Sequence, residues 1–213
     1  MKTLVRTILV SGSLLLIGSL GTAFAQLTGT GVELASDYDT YVPPSVRLTY
    51  VDPTFKSTIK RVSNALGTPN ADGGGNLTWI ENEYSTMSAF NSNNSNFILV
   101  HQSYFALYAG SGLYMHDLPL EINSSSEPRW SRKDNVTLYY HSGNMLKSYN
   151  ISTGDIAVVH TFSEYTSISG NGEMDISYDG DHLVYCGDSR YIFVYQISTD
   201  KKFMLMSNSS WPV

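Results

Sequence analysis

The chain has 213 residues, 42% of them hydrophobic, and a formal net charge of −6. An acidic chain repels the phosphate backbone of nucleic acids, so we expect no nucleic-acid partner. The single cysteine, Cys186, excludes an internal disulfide, and the fold must therefore be stabilised by a hydrophobic core.

The N-terminus has the three parts of a secretion signal. Lys2 and Arg6 precede an apolar stretch at residues 8–20, and a small-residue cleavage site ends at Ala25. Residues 1–25 are therefore predicted to be a signal peptide, and the mature protein to be secreted or periplasmic. The alternative is a retained membrane anchor, although the stretch is shorter than the ~20 residues that span a bilayer. Cleavage leaves 11 basic against 19 acidic side chains, a net charge of about −8.

Residues 26–84 are predicted to be a leader followed by β-hairpin material or a partial blade. Apolar and polar residues alternate at 46–51 and 58–63, which predicts the two strands of a hairpin. The glycine-rich segment 67–76 predicts a surface loop, and a further strand is expected at 76–80.

A repeat begins near residue 85. The apolar strand at 97–100 aligns with 137–140 at a spacing of 40, and a further copy follows at a spacing of 46. Each copy contains several short strands separated by turns rich in Gly and Asp. A four-stranded sheet with two apolar faces cannot cover both faces itself, so it must stack against neighbours. This period is typical of the blades of a β-propeller.

The predicted fold is therefore all-β, a partial β-propeller with about three four-stranded blades. The blades are placed at about 85–125, 126–171 and 172–207, and residues 208–213 are interpreted as the start of a further blade. Closed propellers typically have about four to eight blades, so three cannot close the ring. We expect the chain to be the N-terminal part of a longer protein. The alternatives are an open stack and a ring assembled from several chains.

Two segments carry a family resemblance, namely EPRWSRKDNVTLYY (127–140) and DISYDGDHLVYC (175–186). Both resemble the P-x-W-S-x-D-G-x-x-I-x-Y opening of blades in TolB-like and WD40-like β-propellers, and the Y-x-I-S-T-G element that follows the first also fits. The first copy lacks this core, and the GH and WD dipeptides of strict WD40 repeats are absent, which favours the secreted bacterial kind. The resemblance covers about 85–207 and implies a propeller without implying an activity.

Two histidines are candidate metal ligands. His101 and His141 fall on aligned positions after the inner strands of adjacent copies, with Gln102 and Asp117 nearby. Two imidazoles on one face could begin a divalent metal site. This loosely resembles the secreted oligogalacturonate lyase type of propeller, in which a metal is held by His and Gln. The alternative is that both histidines are loop residues without a metal.

Tyrosine is abundant, with 15 copies, and some of its rings are candidates for stacking on a sugar. Tyr104, Tyr108 and Tyr140 are the predicted stacking residues. The alternative is that tyrosines in alternating strands pack between the blades.

These patterns favour an exported, non-catalytic binding or scaffold module for an extracellular protein or a glycan. No catalytic residues or cofactor-binding motifs are assigned, and a divalent metal is the one cofactor considered. The alternative is the N-terminal part of a polysaccharide lyase, of the oligogalacturonate type, or of another carbohydrate-active enzyme such as a hydrolase.

Overall fold

The computed structural model describes residues 31, 34, 38–85, 87–121, 124–172 and 174–207. The predicted signal peptide (1–25) and the predicted start of a further blade (208–213) lie outside the described residues. The chain divides into two compact units, namely Met1–Tyr41 with Val51–Thr58, and Val42–Tyr50 with Ile59–Val213. Within the described residues, no helix has the length and hydrophobicity that crossing a membrane requires.

The described part of the chain is almost entirely β-structure. It contains thirteen strands and two short 3-10 turns, at Ala65–Gly67 and Ser124–Ser126. The strands are β1 (Thr49–Val51), β2 (Thr58–Lys60), β3 (Asn96–His101), β4 (Tyr104–Ala109), β5 (Tyr114–Asp117), β6 (Arg129–Trp130), β7 (Thr137–Ser142), β8 (Met145–Asn150), β9 (Ile156–Thr161), β10 (Ile168–Ser169), β11 (His182–Gly187), β12 (Tyr191–Gln196) and β13 (Lys201–Ser207).

In the first unit, an Asp-Pro turn orders residues 52–57. The Oδ1 atom of Asp52 accepts hydrogen bonds from the backbone N–H groups of Thr54 and Phe55, at 2.8 and 2.6 Å. The backbone N–H of Asp52 donates to the carbonyl of Ser57 at 2.9 Å. An aspartate that bonds to the backbone two and three residues on is a typical stabiliser of such turns.

The strands form four sheets, with the orders β1-β2, β3-β4-β5, β6-β7-β8-β9 and β10-β11-β12-β13. In the three larger sheets each strand pairs antiparallel with the next one along the chain. We call these the first, second and third sheets. Their meander topology confirms the all-β prediction.

Some predicted element bounds differ from the observed ones. Residues 76–80 were expected to form a strand, but only isolated bridges occur beside them, Pro69 with Asn76 and Glu81 with Val100. The two-residue strands β6 and β10 are too short to produce an alternating pattern. Hydrogen bonds assign β10 to the third sheet, which therefore begins before residue 172, the predicted start of the third blade.

Two hydrophobic cores lie between the larger sheets. The first, between the first and second sheets, is built from Met87, Ile98, Val100, Phe105, Leu107, Leu118, Trp130, Leu138, Tyr140 and Tyr149. The second, between the second and third sheets, is built from Leu146, Phe162, Tyr165, Ile168, Met174, Ile176, Leu183, Tyr185, Phe193 and Tyr195. The second sheet therefore buries both of its faces, as expected for stacked sheets.

The strand bounds correct the alignment of the copies by one residue. β3 and β7 begin at Asn96 and Thr137, and β4 and β8 follow at the same spacing of 41 residues. His101 therefore corresponds to Ser142, and His141 corresponds to Val100. Because successive side chains on a strand point to opposite faces, a shift of one residue moves a side chain to the other face of its sheet.

Asp181 joins the second sheet to the third. Its carboxylate accepts hydrogen bonds from Lys133 Nζ at 2.9 Å, from Gln196 Nε2 at 2.8 Å, and from the backbone N–H and hydroxyl of Ser198 at 3.0 and 2.7 Å. The bond from Lys133, followed by those from Ser198 and Gln196, holds the pKa of Asp181 below its usual range. The Asp181 carboxylate therefore has a structural role.

We expect Phe162→Ala to lower the free energy of unfolding by about 3–5 kcal/mol, because it empties a fully buried site in the second core. Urea unfolding measures this change. The control is Val158→Ala on β9, where the side chain is 54% exposed and the loss should stay below about 1 kcal/mol. Equal losses in the two variants would contradict this account of the second core.

We expect Asp181→Asn to lower the melting temperature at neutral pH, and the difference from the parent protein to narrow on acidification. A carboxyl group whose pKa is lowered by folding stabilises the fold above its unfolded pKa. That stabilisation is lost as the pH falls below about 4 through the folded pKa. Melting curves across this range test the prediction. The control is Asp155→Asn, at an exposed position. A melting-temperature difference between Asp181→Asn and the parent protein that does not change with pH would contradict the prediction.

Candidate functional site

A cavity of about 500 Å³ lies against the first sheet, and we call it the tyrosine cavity. Side chains of β3, β4 and β5 form one wall, and the segment 62–71 forms the other. The residues that line it are Val62, Ser63, Asn64, Gly67, Thr68, Pro69, Ala71, His101, Tyr104, Tyr108, Tyr114 and Asp117. This volume falls within the range of typical small-ligand sites.

Strand alternation places the polar wall on one face of the first sheet. Phe97, Leu99 and His101 share the face that points away from the second sheet, since Ile98 and Val100 enter the first core. Tyr104 pairs with His101 in the β3–β4 register. The predicted residues His101, Tyr104 and Tyr108 therefore meet in one cavity.

His101 is the buried polar group of this cavity, with 1% of its surface exposed. Its Nε2 atom lies 2.6 Å from the hydroxyl oxygen of Tyr108. Its Nδ1 atom is buried without a hydrogen-bond partner among the described residues, 3.9 Å from Asp117 Oδ1. Burial lowers the pKa of His101, and the nearby Asp117 opposes this only in part. His101 is therefore neutral at neutral pH.

Two tyrosine hydroxyl groups form hydrogen bonds with other residues of the cavity lining. Tyr114 donates to Asp117 Oδ1 at 3.0 Å, and the Tyr104 hydroxyl accepts from the backbone N–H of Ala71 at 3.2 Å. Burial, together with neighbouring tyrosines and Asp117, raises the pKa of Tyr108 to about 12. Burial and the bond to Asp117 do the same for Tyr114. Both phenols are thus protonated at neutral pH.

The rings enclose the cavity at different angles. The His101 and Tyr114 rings are stacked with centroids 6.0 Å apart, and the Tyr108 and Tyr114 rings meet edge to face at 5.7 Å. Tyr114 is 44% exposed, so part of its ring is accessible from solvent. This arrangement offers ring faces and a carboxylate to a ligand of small-molecule size.

His141, the second predicted metal ligand, lies in a different place. Its Nε2 atom is 2.9 Å from Glu127 Oε2, and its ring meets that of Tyr185 edge to face. His141 thus faces the third sheet, whereas His101 faces away from the second. The structure does not bring the two imidazoles together, because equivalent strand positions are 41 residues apart and the two histidines are 40 residues apart.

The described residues do not fit a divalent metal site. No group of three or more His, Cys, Asp and Glu side chains among them is close enough to share an ion. Gln102, a considered co-ligand, instead accepts hydrogen bonds from the backbone N–H and the hydroxyl of Thr78, both at 3.1 Å.

Tyr140, the third predicted stacking residue, is fully buried in the first core. Its ring lies between the first and second sheets, where it has no free face for a sugar. The packing alternative applies to this tyrosine, because its side of β7 is covered by the first sheet.

Two members of the cavity were not assigned as ligand-stacking residues from the sequence. Tyr114 begins β5 and Asp117 ends it, so both lie on the same strand three residues apart. A register shift between β4 and β5 at Leu107 and Tyr108 brings Tyr114 opposite Tyr108. The opposite wall of the cavity is the segment 62–71, and no sequence pattern in this segment predicts that it packs against the first sheet.

A second cavity, of about 540 Å³, lies at the inner edges of the sheets, and we call it the inner-edge cavity. Its lining includes Phe90, Trp130 and Ile176. Each of them pairs with a residue of the following long strand in its own sheet, namely Phe97, Leu138 and Leu183. Arg132 and the 93% exposed ring of Tyr178 also line it.

Comparisons with known proteins establish the fold. No family model matches the sequence, and no curated protein matches it either. The chain is similar to an oligogalacturonate lyase in complex with manganese, at a TM-score of 0.54 and 13% identity over 80% of this chain and 49% of that one. An oligogalacturonate lyase from Vibrio parahaemolyticus gives the same TM-score and identity, over 77% and 47%. The WD40 β-propeller domain of Doa1 gives a TM-score of 0.41 at 10% identity, over 63% and 42%.

The fold is that of a β-propeller, as predicted, and the three larger sheets are its blades. At 13% identity the similarity to the lyases shows the fold alone. The chain spans about half the length of the two lyases.

We expect manganese titration calorimetry to detect no saturable site at micromolar concentrations, because the two histidines contact different partners. The variants His101→Ala and His141→Ala serve as matched probes. Saturable binding that both substitutions abolish would contradict this expectation and restore the two-histidine metal site.

Proposed function

We propose that this protein is an exported β-propeller module that binds a glycan in the tyrosine cavity without catalysing a reaction. The observation that carries this proposal is the convergence of Tyr104, Tyr108 and Tyr114 with His101 and Asp117 in one cavity. Aromatic rings provide flat apolar faces for the C–H faces of sugar rings, and a few fixed polar groups provide orientation.

The polar groups of the cavity are arranged for binding. His101 is held by Tyr108, and one oxygen of Asp117 accepts from Tyr114. These contacts fix the side chains before a ligand arrives, which reduces the entropy that binding would otherwise cost. The 37% exposed carboxylate of Asp117 remains accessible to sugar hydroxyl groups.

The alternative is the N-terminal part of a propeller-type polysaccharide lyase, which the similarity to two oligogalacturonate lyases supports. An acidic sugar needs a cation beside its carboxylate. The tyrosine cavity has no Lys or Arg in its lining, whereas the inner-edge cavity has Arg132. Under this alternative the inner-edge cavity would therefore be the substrate site.

We expect Tyr114→Ala and Tyr104→Ala each to weaken glycan binding by about tenfold, because each removes a ring face from the cavity. A glycan array identifies bound oligosaccharides, and titration calorimetry on the best of them gives the dissociation constants. The control is Tyr178→Ala, which removes a more exposed tyrosine from the inner-edge cavity and should leave binding unchanged.

Two results would contradict this proposal. One is the absence of any bound glycan, and the other is an equal loss of affinity in Tyr178→Ala. Release of unsaturated sugar products from an acidic polysaccharide, abolished by Arg132→Ala, would instead support the lyase alternative.

A further inference from the structure

We infer, building on the glycan-binding function proposed above, that the tyrosine cavity selects sugars with free, positively charged amino groups. Three features of the cavity support this selectivity: its charge, the spacing of two acceptor atoms on His101 and Asp117, and its enclosing rings.

The charge of the cavity is negative. Among the described residues that line it, Asp117 is the only acidic side chain, and no Lys or Arg accompanies it. The chain as a whole is also acidic, with a formal net charge of −6. A concave site lined by one sign of charge attracts ligands of the opposite sign and repels those of its own.

Two acceptor atoms are spaced for one ammonium group. His101 Nδ1 has no hydrogen-bond partner among the described residues and lies 3.9 Å from Asp117 Oδ1. This separation is too long for a direct hydrogen bond. Nδ1 exposes less than 1 Å² to solvent, so a ligand must first part these two side chains. An ammonium nitrogen about 2.8–2.9 Å from both atoms can then donate to each. Neutral His101 can accept such a bond when its Nε2 donates to Tyr108.

Aromatic rings surround the imidazole of His101. Tyr104, Tyr108 and Tyr114 lie with their ring centroids 5.4–6.0 Å from that of His101. The face of an aromatic ring attracts a cation, and cages of several rings recognise organic ammonium groups. Burial is the main reason that the pKa values of Tyr108 and Tyr114 are raised, and the negative charge of Asp117 adds to the rise in both.

The same features disfavour acidic sugars. A uronate carboxylate placed among these rings would face Asp117 with no Lys or Arg in the lining, since Arg61 donates to Ser63 and Asn64 behind the opposite wall. The cavity is therefore complementary to amino sugars and not to the substrate class named for the structurally similar lyases.

The test compares glucosamine oligomers with N-acetylglucosamine oligomers of equal length, in mildly acidic buffer that keeps the free amines charged. We expect the parent protein to bind the free-amine oligomers about tenfold more tightly, and added salt to reduce this preference. Asp117→Asn should remove the preference, because it lowers the affinity for the free-amine oligomers more than the affinity for the acetylated ones. Asp72→Asn, which removes a nearby carboxylate that does not line the cavity, should keep the preference.

Three outcomes would overturn the inference: equal affinities for the two oligomers in the parent protein, a preference that salt does not change, or a preference that survives in Asp117→Asn. The salt measurement needs no variant, so it holds even if Asp117→Asn fails to fold. If both oligomers bind equally and Tyr114→Ala weakens both, the amino-sugar selectivity fails and the glycan-binding function stands. If Tyr114→Ala weakens neither, that function fails as well.

Discussion

The structure depends on the burial of both faces of the second blade. Leu138 and Tyr140 enter the core shared with the first blade, while Leu146 and Phe162 enter the core shared with the third. A single twisted sheet with two apolar faces would expose one of them to water, so stacking is the arrangement that removes both from solvent. The short strands and tight turns of each blade are local consequences of sequence, but their stability comes from these two interfaces.

Buried charges at these interfaces are paired, which fixes how the blades meet. Glu127 accepts hydrogen bonds from His141 and from the backbone N–H groups of Gly170 and Gly172. Burial opposes ionisation of Glu127, but these bonds outweigh it and lower its pKa. Arg129 donates to Glu83 at 2.9 Å and to the carbonyl of Met174 at 2.6 Å. An unpaired charge at such a site would cost several kcal/mol, so these pairs favour one arrangement of the blades.

The candidate site arises on the face of the first blade that points away from the second blade. There the segment 62–71 covers Phe97 and Tyr108 only in part, and a cavity remains between loop and sheet. Of the residues assigned to function from the sequence, His101, Tyr104 and Tyr108 lie in this cavity, while His141 and Tyr140 do not. The causes differ, since Tyr140 is covered by the first sheet and His141 is placed by the register. The copies align at a spacing of 41 and not 40, and a shift of one residue turns a strand side chain from one face to the other.

The sequence by itself determined the class of fold, since its alternating apolar strands, its turns and its 40–46-residue repeat are local patterns that short-range geometry reads directly. It also placed the strands at 97–100 and 137–140 within two residues of the observed bounds of β3 and β7. Only the tertiary structure decided which face each side chain occupies, which tyrosines are buried, and that Tyr114, Asp117 and the segment 62–71 join His101 in one cavity. These choices depend on register and on contacts between residues more than thirty positions apart, and the local patterns of the chain do not encode them.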